Sequence, residues 1–172
     1  DSLSRLKEVN TLGGGAILAS FSYYGDNRRV KKVDGSGFVT NYVFDGLQVL
    51  MELDGGGSVS KIYNPGISFI DGVGEKFYFL HDSHGNVANL VDKNGNMVDA
   101  YTYEAFGKSV GVSNSLNGYR YVGAGDVYSD DDVNLQYMWN RWYDPEIGRF
   151  ISQDPIGQAG GINLYAYAAN NP

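Results

Sequence analysis

An Asp-x-x-Gly string recurs along this chain at Asp34-Gly37, Asp54-Gly57, Asp71-Gly74 and Asp92-Gly95, with these aspartates 20, 17 and 21 residues apart. Such regularity marks a structural repeat and excludes most folds before any other feature is weighed. The aspartate of each string is suited to bond the backbone two residues on, and the glycine to supply the positive φ of a tight reversal. Between the turns stand runs rich in β-branched and aromatic side chains that partly alternate: Phe38 to Phe44, Val59 to Tyr63, Phe77 to His81, Val87 to Val91 and Met97 to Tyr103. Two strands of about seven residues plus their turns fill one period of about nineteen. A further turn, Asp82-Ser83-His84-Gly85, joins two of these strands and completes a hairpin with the Asp92 turn. Helical spacing is poorly supported, its best stretch being Leu164 to Ala169. The expected fold class is all-β, an antiparallel strip of hairpins.

Composition agrees with that reading. The 24 glycines, 14 tyrosines and only 4 prolines suit many tight turns between aromatic-bearing strands rather than disorder. At 172 residues the chain suffices for one domain with a real core. The absence of cysteine removes disulfides, thiolate chemistry and Cys-based metal sites. A formal charge of −7 opposes nonspecific binding to nucleic acid or to an anionic membrane. The cationic cluster Arg28, Arg29, Lys31 and Lys32 reads as a solvated strand pair. No apolar run reaches the roughly 20 residues of a membrane span, and no charged and apolar leader opens the chain. A start at Asp1 suggests a piece processed from something longer, with any export signal outside it.

Other constellations read as structure rather than chemistry. The aromatic stripe Tyr23, Tyr42, Phe44, Tyr63, Tyr78, Tyr101 and Tyr103 suits sugar stacking in principle, but cross-strand packing is what aromatics on sheets routinely do. His81 and His84 flank Asp82, and without further His or any Cys they read as a satisfied turn pair. Asp126 and Asp130 to Asp132 lack EF-hand spacing and read as a solvated loop, so no metal and no cofactor is expected. Gly157-Gln158-Ala159-Gly160-Gly161 lacks the Lys-Ser/Thr ending of a phosphate loop and reads as a tight bend. No Ser-His-Asp or Cys-His arrangement is present to argue from.

The stretch RWYDPEIGRFISQDPIGQAGGINLYAYAANNP, residues 141–172, joins an Arg, an Asp-Pro-x-Gly turn and a Gly-rich, Tyr-rich tail. It resembles the core signature of Rhs and other YD-repeat proteins, including Tc toxin C components. FSYYGDNRRVKKVDGSGFVTNYVFDG and YFLHDSHGNVANLVDKNGNMVDAYTYEAFGK resemble YD repeats too, so the resemblance covers the chain from Phe21 onward. It implies a strip spiralling into a secreted β-shell, with a core-associated segment winding inward as a plug; the strip falls on residues 1–117 and the plug on 118–172.

In many members of that family the core carries an aspartic autoprotease, which needs two carboxylates sharing one proton. By position the resemblance places one carboxylate on Asp154, within Asp154-Pro155-Ile156-Gly157, and the accompanying Arg on Arg141. The second carboxylate and the cut site would fall just beyond Pro172, so the chain as it stands is expected to be inactive. The residues themselves leave other roles open: Arg141 as a clamp on Asp144 or Asp154, and Asp154 as the first residue of a type I turn. Gln158 departs from the family string, where an apolar residue is commoner.

Two functions follow as expectations. The first is the end of a β-shell that encloses a C-terminal toxin, with half of an autoprotease site. The alternative is a self-assembling secreted fibre or adhesion module that contacts carbohydrate, because open sheet edges invite pairing. The implied partners are the rest of its own shell or copies of itself, and an enclosed toxin; the implied location is secreted or on the bacterial surface.

Overall fold

The computed structural model describes residues 5–111 and 115–172. Ten strands form one antiparallel sheet in strict chain order: β1 (Glu8–Asn10), β2 (Ile17–Tyr23), β3 (Arg29–Asp34), β4 (Val39–Asp45), β5 (Gln48–Leu53), β6 (Val59–Asn64), β7 (Ser68–Asp71), β8 (Lys76–His81), β9 (Val87–Asp92) and β10 (Met97–Ala100). The turns at Asp34, Asp54, Asp71 and Asp92 all lie along one end of this strip, and the turn at Asp82 lies along the other.

These turns share one construction. At Asp34, Gly37 N donates to Asp34 O and Asp34 N to Phe38 O, each at 3.0 Å, while Asp34 Oδ1 accepts from Ser36 N and Phe38 N. Asp54, Asp71, Asp82 and Asp92 repeat these bonds. The closing glycine has φ of +87° at Gly37, and this is the type I turn with a left-handed bulge residue common in hairpins. Two turns use the same backbone without the string: Tyr24 to Arg28, with Asn27 at φ +72°, and Glu104 to Lys108, with Gly107 at φ +81°. Asn tolerates the left-handed region, so the Asp-x-x-Gly string is not necessary for this turn.

Register shifts within β2–β3, β4–β5 and β8–β9 set which side chains turn inward. A bulge adds one residue and brings positions three apart onto one face. It is how Arg29 with Lys32, and Val87 with Leu90, are buried together. The Met97 to Tyr103 run divides at Tyr101: β10 ends at Ala100, and β11 (Thr102–Tyr103) pairs instead with β12 (Ser109–Val110). Tyr101 is buried between them, its N donating to Ala88 O at 2.8 Å.

A second sheet, β13 (Tyr128–Asp130), β14 (Leu135–Met138), β15 (Arg141–Asp144) and β16 (Arg149–Phe150), packs against the strip. Tyr63, Phe69, Phe77, Phe79, Val87 and Leu90 of the strip and Tyr101 just after it form one cluster with Tyr119, and Ala19 and Phe21 form another with Val133, Tyr137 and Trp142. A third joins Tyr121, Val127, Met138, Tyr143 and Phe150. The approach is close at Gly118, where an added Cβ would run into the Tyr128 ring. Within the aromatic stripe, Tyr42, Tyr63 and Tyr101 are buried and the other four partly so, as packing requires. The Leu164 to Ala169 stretch forms no α-helix: Tyr165 N is held by Asn163 Oδ1, Ala166 bridges Arg149, and only a 3-10 turn, Ala168–Asn170, follows.

Candidate functional site

Arg141 opens β15 and Asp154 follows β16, so the last hairpin of the second sheet sets the distance between them. Arg141 Nη1 lies 3.0 Å from Asp154 Oδ2, close enough for an ion pair but not aligned as a hydrogen bond. The guanidinium stacks on Phe150, 3.6 Å from the ring centroid. Burial pulls the Arg141 pKa below its ordinary value, and Asp154 opposes that pull only in part. Asp144 is occupied elsewhere, its Oδ1 accepting from Glu146 N at 2.9 Å.

The Asp154 backbone forms a turn as well as the pair. Gly157 N donates to Asp154 O at 2.9 Å, Ile156 N donates to Asp154 Oδ1 at 3.0 Å, and Gly157 sits at φ +61°, with Pro155 between. Asp154 N donates across to Leu164 O, which ties the turn to the Tyr-rich tail. Oδ1 therefore holds the turn while Oδ2 faces Arg141, and one carboxylate serves both roles that the residues left open. Gly157–Gly160 is a single 3-10 turn; the Gln158 side chain lies outside the described residues.

The structure corrects the reading of the basic cluster. Arg29 and Lys32 are buried, with residues 3 % and 8 % exposed, because Asp130 of β13 meets both. Arg29 Nη1 lies 3.3 Å from Asp130 Oδ2, and Lys32 Nζ lies 2.5 Å from Asp130 Oδ1 and 2.5 Å from Asp132. The Arg29 guanidinium is boxed by aromatic rings, Tyr42 nearest at 4.3 Å, then Tyr128, Tyr137 and Trp142. Burial alone would lower its pKa, but the surrounding Tyr42 and Asp130 outweigh that and hold the cation above its ordinary value.

The acidic loop is likewise not uniformly solvated: Asp130 is buried, and Asp131 clamps the buried Arg120 through Nη1 and Nη2. Nor are the histidines a satisfied pair. His84 Nδ1 contacts Ser83 Oγ, but His81 Nε2 is buried with no hydrogen-bond partner among the described residues. Buried Glu52, which no motif singled out, accepts from Tyr63 Oη at 2.9 Å. Only a charged residue in the alternating inward register of β5 could have signalled it.

Residues 18–172 match the sequence profile of the Teneurin YD-shell family. Over its whole length the chain is 33% identical to the tRNA3(Ser)-specific nuclease WapA of Bacillus spizizenii, of which it covers 8%, and over 99% of its length it is 29% identical to the double-stranded DNA deaminase toxin A of Burkholderia cenocepacia, of which it covers 14%. Among solved structures, the crystal structure of TcdB2-TccC3-TEV superposes on the entire chain with a TM-score of 0.74 at 20% identity, the match covering 9% of that polypeptide. The chain thus spans a small fraction of each relative, and at this identity the superposition establishes the fold.

Proposed function

The chain belongs to the Teneurin YD-shell family, and on that premise we propose that it is a stretch of shell wall together with the segment that turns inward at the shell's end, in a polypeptide that encloses a C-terminal toxin. The wall is the strip up to residue 117 and the inward segment begins at 118. The observation that carries this reading is the sheet itself: ten strands in chain order, one face covered by residues of the same chain, and a strand paired on one side only at each edge. Such a sheet extends by adding hairpins at its edges, which is how a wall is built. The nuclease and deaminase named among the relatives are the kind of cargo such a wall would hold, released outside the producing cell or at its surface.

Within this reading Asp154 is one carboxylate of an intramolecular aspartic site whose second carboxylate comes from chain beyond Pro172, and Arg141 holds Asp154 in place. The bidentate-capable fork of Arg141, fixed on Phe150, supports a positioning role. The test is a longer polypeptide carrying the sequence past Pro172. Asp154→Asn is expected to abolish processing with little change in melting temperature, and a folded, normally processed Asp154→Asn protein would overturn the assignment. Limited proteolysis of the same polypeptide tests the wall: the C-terminal part should be protected, and equal digestion throughout would sink enclosure.

A second reading, assembly into fibres, draws on the apolar side chains exposed on the strip, Val59, Ile62 and Leu80 among them. Filaments in electron micrographs of the 172-residue chain would favour it; discrete particles would favour the wall.

A further inference from the structure

Trp139, between β14 and β15, occupies a backbone position where a large side chain is out of place. Asn140 N donates to Met138 O at 2.7 Å and closes a three-residue turn about Trp139, whose φ of +55° is left-handed. Turns of this kind are rare and strained, and glycine is the residue that adopts the left-handed region freely. Folding gains little in return, because Trp139 is 55 % exposed. Trp142, three residues on, is buried and donates from Nε1 to Tyr23 Oη at 2.8 Å. A bulky ring held on strained backbone and left in solvent points to a use outside the fold.

Trp139 borders a cavity of about 50 Å³ whose other walls include Tyr42, Phe44, Leu47 and Asp126. Leu47 is 71 % exposed, so two large apolar side chains stand open to solvent at its mouth. The cations nearby are already matched: Arg28 pairs with Asp26, and Arg29 and Lys32 meet Asp130 and Asp132. Asp126 meets no cation among the described residues, its one side-chain bond being that from Gln48 Nε2 to Oδ2 at 3.1 Å. Its Oδ1 accepts no bond there, and the residue is only partly buried, so this oxygen is not sealed from solvent. Burial pushes the Asp126 carboxyl up, an effect that an entering cation would reverse. An anion would only add to the surplus negative charge.

We propose that this cavity receives the ammonium group of a lysine side chain from a partner polypeptide, Asp126 Oδ1 accepting from it while the aliphatic stem lies along Trp139 and Leu47. Aromatic faces attract cations, and lysine buries its stem on apolar surface while its charged head finds a polar partner. At about 30 Å³ per water the cavity has room for about one or two waters, the size of an ammonium with its adjoining methylene. The planar fork of an arginine is too broad for it. A free amine would fill the hole but leave Trp139 and Leu47 bare, so the surface suits an amine carried on a chain. The strained turn holds the Trp139 ring at the mouth before binding, and tryptophan is among the residues that most often anchor an interface.

The test is a titration of the 172-residue chain at pH 7 with a blocked pentapeptide, alanine-leucine-lysine-leucine-alanine, with its norleucine and arginine counterparts, and with n-butylamine. Affinity is read from the anisotropy of the dye-labelled peptide and its displacement, and location from nuclear magnetic resonance at the two indole N–H groups. The lysine peptide is expected to shift the Trp139 indole saturably and leave that of Trp142 still. The other three probes should bind about tenfold more weakly or worse, since each lacks the charge, the fit or the chain. Trp139→Gly relieves the strained turn, so it should melt at a higher temperature and yet bind the peptide about tenfold more weakly. Asp126 sits at φ +63°, which asparagine tolerates, so Asp126→Asn should fold and lose affinity by about as much. No saturable binding, equal binding of the norleucine or arginine peptide, or unchanged affinity in either folded variant overturns the proposal. Butylamine binding as tightly as the lysine peptide overturns the polypeptide source.

Discussion

The segment from Gly118 to Asp130 closes the two halves of the strip by different means. Over β6 to β9 the covering segment contributes a ring: Tyr119 meets Tyr63 edge-on at 5.0 Å, and behind it Phe69 stacks on Phe77. Over β2 to β4 it contributes a carboxylate, Asp130, to two buried cations inside an aromatic box. The aromatic half gains from every ring it buries and tolerates imprecision. In the ionic half, desolvation opposes the attraction, so the net stabilisation is small while the geometric demand is high. Such a pair fixes where β13 must sit on β3 more than it adds to stability.

The sharpest way to break that contrast is Asp130→Ala. It leaves Lys32 with Asp132 alone and removes the carboxylate that meets buried Arg29, and urea unfolding should show a loss of about 3–5 kcal/mol, nearly independent of salt because the site is buried. Replacing Arg29, Lys32 and Asp130 together with Met, Met and Leu should cost far less than Asp130→Ala alone. A triple variant as unstable as the single one would show that the aromatic box, not the ion network, carries this half.

The aromatic half should fail by steric strain instead. Gly118→Ala drives a Cβ into the Tyr128 ring, which also packs against Tyr119. Overpacking of this kind costs about 1–3 kcal/mol and should appear as a lower melting temperature without change in the denaturant slope. A smaller shift than with Asp130→Ala is required if the two halves differ as argued.

What was legible in the sequence follows the same division. A turn such as that at Asp34 is made of bonds spanning two to four residues, so its chemistry lies within one string of letters. Its variants at Tyr24 and Glu104 were not legible, because the backbone geometry survives loss of the aspartate or the glycine. The burial of Arg29 and Lys32 depends on a partner 101 and 98 residues away, and on a bulge that no local pattern announces. Arg141 and Asp154 stand close in sequence, yet only the pairing of β15 with β16 and the bond from Asp154 N to Leu164 O selects Asp154 over Asp144.

Protonation separates turns from junction more gently. At Asp82 burial pushes the carboxyl up, but bonds from Asn86 and His84 outweigh it and hold the pKa low. At Asp92 the Asn96 side chain and backbone do the same. A lowered folded pKa gives stability that is present above the unfolded value of about 3.9 and is lost as pH falls through the folded one. Asp126, beside the Arg29 box, is the opposite case: burial raises it against one bond from Gln48, so its contribution is present below the unfolded value and is lost as pH rises through the folded one. Asp126→Asn should therefore raise the unfolding free energy measured in urea at pH 7, by less than about 1 kcal/mol for a group only partly buried, and leave it unchanged at pH 3. An equal gain at both pH values would refute the assignment.

The smallest effect compares two neighbours of the same type. Arg28 and Arg29 are adjacent cations at the start of one strand, yet Arg28 pairs with exposed Asp26, Nη2 to Oδ2 at 2.7 Å, and rests over Tyr24 and Phe44 at the surface. Water and salt screen that pair, and the side chain loses rotamer freedom to hold it. Arg28→Ala should lower the melting temperature barely at all, and whatever it costs should fade between low and high salt. Arg29→Ala should cost much more, and equally at both, because it empties an aromatic box and leaves Asp130 with Lys32 alone. If Arg28→Ala proves as damaging as Arg29→Ala, or as indifferent to salt, then the Tyr24 to Arg28 turn, rather than the buried network beside it, is what organises this end of the strip.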